Sequence, residues 1–256
     1  MITFLKRHLP PAATNLLRVA YNWKDPFACA RFLADRDSAM SFAERQQLVR
    51  RLFAISLAVD APHTQQQMLE MIETIVSMPP TVPGVIVEAG CYKGGSTAKL
   101  SLAAHRAGRD LVVFDSFEGI PGNTEHHAET LLGERIEFNS GDYRGTLDEV
   151  RSNVTRFGKI APCRFVAGWL EDTLPTFHEP VAVAYLDVDL ATSTRTALKY
   201  LYPLLSPGGV LFSHDGHLSL VVEVFADEKF WLNDVGCPPP VVEGLGERQL
   251  IKIVKS

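Results

Sequence analysis

The chain has 256 residues, 46% of them apolar and 21% charged, with a formal net charge of −5. That length suits one α/β domain with a core large enough to need no disulfide or structural metal, and the composition excludes wholesale disorder. The acidic balance argues against a general nucleic-acid binder, and no run of about 20 apolar residues marks a membrane span.

Cys29, Cys91, Cys163 and Cys237 stand far apart, with neither CxxC nor zinc spacing, as free thiols in a reducing compartment would. The opening MITFLKRHLPPAATNLLRVA is broken by Pro10 and Pro11 and has no continuous apolar h-region, so the expected location is cytoplasmic.

Residues 1–80 read as a helical extension and residues 81–256 as the main domain. Ser41 and Glu44 make a capping-box pattern, after which Leu48, Leu52, Ile55 and Val59 recur at helical spacing. A second helix is predicted from His63 or Thr64 to Ser77, with Met68, Met71, Ile72 and Ile75 inward; Pro79, Pro80, Pro83 and Gly84 end it. The apolar faces around Leu48, Leu52 and Phe53 could cover the core or a ligand, or pair with a second copy of the chain.

From Val85 the texture alternates. VIVEAG, LVVFD, CRFVAG, VAVAYLDVD (through Asp189) and VLFSHD (through Asp215) read as buried strands. Helices are predicted from Ser96 to about Ala107, over Thr146–Gly158, across TSTRTALKYLYPLL and across LSLVVEVFADEKF, with SPGG as a turn. The tail VVEGLGERQLIKIV reads as two strands joined through Gly244 to Glu247. The polar stretch from Glu118 to Gly145 is too long for an ordinary loop, which suggests a functional segment; His126 and His127 within it read as solvated loop residues or part of a lid. Alternating strands and helices imply right-handed crossovers and a mostly parallel sheet with an antiparallel end.

The first strand meets its helix through Glu88-Ala89-Gly90-Cys91-Tyr92-Lys93-Gly94-Gly95-Ser96. Glycines there let the backbone approach a ligand at the carboxyl end of the sheet. The dinucleotide pattern G-x-G-x-x-G is absent, and the acidic Glu88 suits a ligand with a positive group better than a pyrophosphate. Asp115 ends the second strand, where a carboxylate can accept two hydrogen bonds from a ribose diol. Together these features point to an adenosine-containing ligand without phosphate, for which S-adenosylmethionine is the natural candidate. A nicotinamide oxidoreductase is the reading that the missing glycine pattern and Glu88 oppose.

Asp187 and Asp189 would share one side of a strand continuing through Asp189, and Asp215 ends the neighbouring strand. Carboxylates gathered there suggest a hard cation such as Mg²⁺.

The chain resembles class I S-adenosylmethionine-dependent methyltransferases, and more narrowly the macrocin O-methyltransferase-like family, which modifies sugars on macrolide and aminocoumarin antibiotics. The resemblance rests on VEAGCYKGGST, FDSFEGIP, GDYRGTLDEV, GWLEDTLP, YLDVDLATST and LYPLLSPGG, in that order, over about residues 85–225. It implies a Rossmann-like, seven-stranded sheet. It places Glu88, Gly90 and Tyr92 near the methionine part of S-adenosylmethionine, sets Asp115 on the ribose, and counts Ser96 and Asp187 among the cofactor-binding residues. It lines the adenosine pocket with Ser116 and Phe117, and sets Gly168 and Trp169 beside the adenine. It also implies a divalent metal on Asp187 and on the residues after the next strand, with Asp189 as general base. Where the family has two adjacent aspartates, this chain has His214-Asp215, and Gly216 stands where the family has tyrosine. An imidazole suits Zn, Fe, Ni or Mn better than Mg²⁺, so the site is either a divalent centre of Asp187, His214 and Asp215 or a metal-free one in which His214 or His217 is the base. The acceptor implied is a sugar hydroxyl of a glycosylated natural product, with no nucleic-acid or membrane partner. A catechol or phenol acceptor, or a non-catalytic binding protein with a degenerate methyltransferase fold, are the alternatives.

Overall fold

The computed structural model describes residues 25–35, 39–126, 130, 131, 133 and 136–256, together with Ala13 and Leu16. Helices α1 (Asp25–Ala34), α2 (Phe42–Ala58) and α3 (Gln65–Ser77) come first. The predicted capping box opens α2: the Ser41 hydroxyl accepts from the Glu44 amide, and the Glu44 carboxylate accepts from the Ser41 amide at 2.7 Å. Thr64 and Gln67 form a second box at the start of α3. Each box satisfies amides that a helix start leaves without partners. Met68, Met71, Ile72 and Ile75 of α3 are fully buried, as their spacing predicts. They share one core cluster with Leu52 of α2 and Ile86 of the first strand, so α2 and α3 bury their apolar faces in the same core as the sheet.

The sheet contains β1 (Val85–Ala89), β2 (Leu111–Asp115), β3 (Cys163–Ala167), β4 (Val181–Leu186), β5 (Leu205–Ser213) and β6 (Ile251–Val254), in the order β3-β2-β1-β4-β5-β6. All neighbours run parallel except β5 and β6. Helices α4 (Gly95–Ala107) and α5 (Leu147–Phe157) join α1–α3 on one face. Helices α6 (Ala191–Leu204) and α7 (Ser219–Ala226) cover the other face, where Trp231 is wholly buried.

The sheet of the described residues has six strands, not seven. The first half of the tail pair shrinks to a single bridge between Glu243 and Lys252. Pro238, Pro239 and Pro240 just before it have no amide hydrogen to give a ladder, and Gly244 turns the chain with φ of +81°. The SPGG stretch is not a turn ahead of β5 but lies inside it, as an irregularity between the pairs Val181–Leu205 and Val183–Val210. Strands β4 and β5 end at Leu186 and Ser213, short of Asp189 and Asp215. All four cysteines are free, and no described helix is long and apolar enough to cross a membrane.

Leu52 has no exposed surface, so Leu52→Ala should lower the unfolding free energy by about 2–5 kcal/mol through lost burial and a residual cavity. Denaturant titration followed by circular dichroism measures this; an unchanged midpoint would mean that α2 is not part of the cooperative core.

Candidate active site

Parallel neighbours bring the carboxyl ends of β1, β2, β4 and β5 to one lip of the sheet, where the strand order reverses between β1 and β4. Such a switch point leaves a crevice, and a cavity among the described residues opens there. Gly90, Tyr92, Asp115, Trp169, Asp187 and His214 line it from the strand ends. Ile120, Pro121, Ile136, Phe138 and Tyr143 close it from outside, so the long stretch after Glu118 forms a wall of the pocket. Glu125 of that stretch fastens it to α6: its carboxylate accepts from the amides of Ala191 at 2.7 Å and Thr192 at 2.9 Å. An anion suits the positive end of a helix dipole. His126 is exposed outside the cavity, and His127 lies outside the described residues.

The turn after β1 depends on Gly90. Its φ is +84°, and a methyl there would overlap the backbone carbonyl oxygen of Asp187. The Asp187 amide donates to the Ala89 carbonyl at 2.9 Å, so the β1 and β4 turns are packed backbone to backbone. Tyr92 (φ +50°) lies edge-on to Tyr143 and donates its hydroxyl to Asp60 at 3.1 Å. Glu88 and Ser96 are fully buried behind the turn and do not line the cavity. Burial pushes the Glu88 carboxyl up to about 8.

Asp115 reaches across from β2. One of its oxygens accepts from the Cys91 amide and the other from the Phe117 amide, both at 2.7 Å. The carboxylate thus faces the cavity in a fixed orientation, with lone pairs left over. Ser116 lines the cavity, whereas Phe117 (φ +59°) turns into the core. The Gly168 amide donates to the Asp115 carbonyl at 3.0 Å, and Trp169 and Leu170 supply the pocket surface beyond it.

The acidic residues converge by a different route from the one their alternation suggests. With β4 finished at Leu186, the chain turns tightly; Asp189 takes φ of +61°, and Leu190 donates to the Val188 carbonyl at 2.6 Å. One Asp215 oxygen accepts from the amides of Val188 and Asp189 at 3.1 Å each, which fixes the turn. Carboxylate oxygens of Asp187, Asp189 and Asp215 then lie within 4.8 Å of one another. Burial, followed by the charges of Asp215 and Asp187, pushes Asp189 well above the usual carboxylate range. Burial and the Asp187 charge push Asp215 up to about 7. Carboxylates crowded this way suit a cation, and oxygen donors suit a divalent one.

His214 does not join Asp215 in that set. Its Nδ1 sits 3.3 Å from Asp187 Oδ1, while His63 Nε2 sits 2.9 Å from Asp187 Oδ2. Burial alone would raise Asp187, but these imidazoles hold it below the usual carboxylate range. His63 itself is pushed down to about 4, burial outweighing Asp187. For His214, burial pulls down, but the charge and hydrogen bond of Asp187 together with the charge of Asp215 raise it. The Tyr185 hydroxyl lies 2.6 Å from His63 Nε2 beneath the pocket. His217 lines the cavity 3.5 Å from the Gln249 amide nitrogen. Sequence reasoning missed His63, Tyr185, Tyr143, Glu125 and Gln249. His63 and Asp187 are 124 residues apart, and no local spacing announces such a pair.

A doubly wound sheet with an antiparallel end, a cavity at its switch point and a carboxylate closing β2 define the class I methyltransferase fold. The family model for macrocin O-methyltransferase (TylF) matches residues 54–230, and the chain belongs to that family. It is 38% identical over 151 residues to the 8-demethyl-8-(2,3-dimethoxy-alpha-L-rhamnosyl)-tetracenomycin-C 4'-O-methyltransferase of Streptomyces olivaceus, a stretch covering 56% of each chain. It is 34% identical over 141 residues to the mycinamicin III 3''-O-methyltransferase of Micromonospora griseorubida, covering 52% of this chain and 56% of that one. The chain thus matches a little over half the length of these relatives. Among solved structures, the O-methyltransferase NovP superposes with a TM-score of 0.61 at 23% identity, over 96% of this chain and all of that one. The calicheamicin methyltransferase CalS11 superposes with a TM-score of 0.58 at 16% identity, over 91% of this chain and 93% of that one. At these identities both speak for the fold.

Gly90→Ala should cost more than about 1 kcal/mol, because alanine is strained at this φ and its methyl pushes on Asp187. A urea midpoint equal to that of the parent would show that the two turns can separate freely.

Proposed function

We propose that the chain is an S-adenosylmethionine-dependent O-methyltransferase acting on a sugar hydroxyl of a glycosylated natural product, with a divalent cation beside the acceptor oxygen. The observation that carries this reading is a single cavity into which both Asp115 and the Asp187–Asp189–Asp215 cluster open. A cofactor site and a proton-handling site therefore share one space. Membership of the macrocin O-methyltransferase family and the sugar-directed names of its relatives support the acceptor class.

In this reading Asp115 holds the ribose diol, Gly90 and Tyr92 flank the methionine part, and Ser116, Trp169 and Leu170 border the adenosine. Phe117 and Gly168 act behind that surface, shaping the turns that carry it. Glu88 and Ser96 support the first turn from below. S-adenosylmethionine supplies an activated methyl on a sulfonium, so the protein needs to align the acceptor oxygen in line with it and take up the hydroxyl proton. A divalent cation, with Asp187 as the ligand common to both donor sets, would lower the pKa of that hydroxyl. Asp189 is the general base: burial and its acidic neighbours give it a higher proton affinity than an ordinary carboxylate. Asp215 holds the turn that presents Asp189, and His217 with Gln249 offers hydrogen bonds to the acceptor side.

Calorimetric titration with S-adenosylhomocysteine, the demethylated product, tests the cofactor half without knowledge of the acceptor. Micromolar binding is expected, weakened about tenfold or more in Asp115→Ala, since a hydrogen bond to a charged acceptor is worth about 1.5–3 kcal/mol. A folded protein that binds nothing would remove the cofactor reading; unchanged affinity in the variant would remove Asp115 from it. Asp189→Asn should leave that affinity within about threefold while lowering methyl transfer by about 10²–10⁴-fold. A variant that turns over at the parental rate would show that the base is elsewhere.

A further inference from the structure

Asp187 belongs to two donor sets, and the second contains no other carboxylate: it is made with His63 and His214. His63 arrives from the connection between α2 and α3, while His214 follows β5. Both imidazoles are buried, at 4% and 5% exposure, and they grip opposite oxygens of the same carboxylate. Their ring centroids are 4.8 Å apart. Donors about 2.1 Å from one ion, at octahedral to tetrahedral angles, stand roughly 3.0–3.4 Å apart. The nitrogen–oxygen separations of 2.9 and 3.3 Å, one to each Asp187 oxygen, match that spacing for a carboxylate that offers both oxygens to the ion.

The surrounding hydrogen bonds fit the same reading. The Tyr185 hydroxyl touches His63 Nε2 and also bonds Asp187, so an imidazole nitrogen, a phenol oxygen and a carboxylate oxygen meet with at most two protons among them. An ion on Nε2 takes the place of the imidazole proton, and the Tyr185 proton still has Asp187 as acceptor. The far nitrogens, His63 Nδ1 and His214 Nε2, are buried and have no hydrogen-bond partner among the described residues. Asp187 and His214 line the cavity, which gives an ion a way in and leaves coordination positions facing the pocket. Asp189 and Asp215 stand on the same floor beside Asp187.

We propose that His63, Asp187 and His214 form a two-histidine, one-carboxylate centre that binds a divalent transition-metal ion in preference to Mg²⁺. Imidazole suits Mn, Fe, Co, Ni and Zn, whereas Mg²⁺ wants oxygen donors in near-ideal octahedral array. The centre specifies the cation of the reading above and rests on it only for its use in methyl transfer. Its own test reads metal binding, so it can fail while S-adenosylhomocysteine still binds, and the reverse.

The metal-free full chain is titrated with Co²⁺ while the visible spectrum is recorded. One equivalent should bind and develop ligand-field bands; Zn²⁺ should erase them, and millimolar Mg²⁺ should not. His63→Gln should weaken Co²⁺ binding at least about tenfold, with its thermal transition retained. His214→Asp, which trades a nitrogen for oxygens, should shift preference toward Mg²⁺. Absence of saturable bands, displacement by Mg²⁺, or parental Co²⁺ affinity in His63→Gln would each overturn the proposal. Should His63→Gln fail to fold, His214→Asp decides: a shift toward Mg²⁺ supports the centre, and an unchanged preference overturns it.

Discussion

The Asp187 carboxylate is where the separately folded parts of this molecule are joined. Its own amide is bonded to β1 and its carbonyl rests against Gly90. Its side chain ties His63, from the helices before the sheet, to His214, from the turn after β5. A buried carboxylate without partners would cost several kcal/mol, and here two imidazoles compensate it. The N-terminal helices are thereby coupled to the pocket through one polar contact as well as through the apolar packing of α2 and α3. The mutual approach of β1 and β4 requires glycine at position 90, since any side chain there meets the Asp187 backbone.

That compensation is uneven, and the unevenness divides the labour of the cluster. Asp187 stays ionised because imidazoles face both of its oxygens. Asp215 has backbone amides but sits against Asp187, and Asp189 is buried facing the charges of Asp215 and Asp187. Neighbouring carboxylates in one cavity therefore have proton affinities pushed in opposite directions. Such a separation is the usual physical basis for assigning one group to hold charge and another to move protons.

Much of this was legible in the sequence because it is local. The capping box at Ser41, the inward face of Met68, Met71, Ile72 and Ile75, and the run of β-branched strands each follow from spacing within one or two helical turns or strand repeats. Asp115, Asp187, Asp189 and Asp215 stood out because strand ends in a parallel sheet share one lip. Strand alternation is nonetheless not what brings Asp187 and Asp189 together. Two-residue alternation needs a continuing strand, and β4 stops at Leu186; a turn held by Asp215 does the gathering instead. The missing seventh strand has a similar origin, since prolines and glycines in the tail override the apolar residues beside them. Phe117, Gly168, Glu88 and Ser96 lie beside the pocket in sequence yet behind it in space, because backbone turns decide which neighbour faces the cavity.

His63 was illegible for a different reason. In sequence it is one histidine after a proline ahead of a polar helix start, and what gives it meaning is a carboxylate 124 residues away. The same holds for Glu125, whose role depends on the amides of Ala191 and Thr192 across the pocket. That bond matters because α6 starts immediately after the Asp189 turn. A carboxylate on the helix N-terminus fastens the outer wall of the cavity to the element that positions Asp189. A displacement of the wall by a bulky acceptor would therefore reach the α6 terminus and the turn carrying Asp189, and also the Gly90 turn, where Tyr143 of the wall lies edge-on to Tyr92.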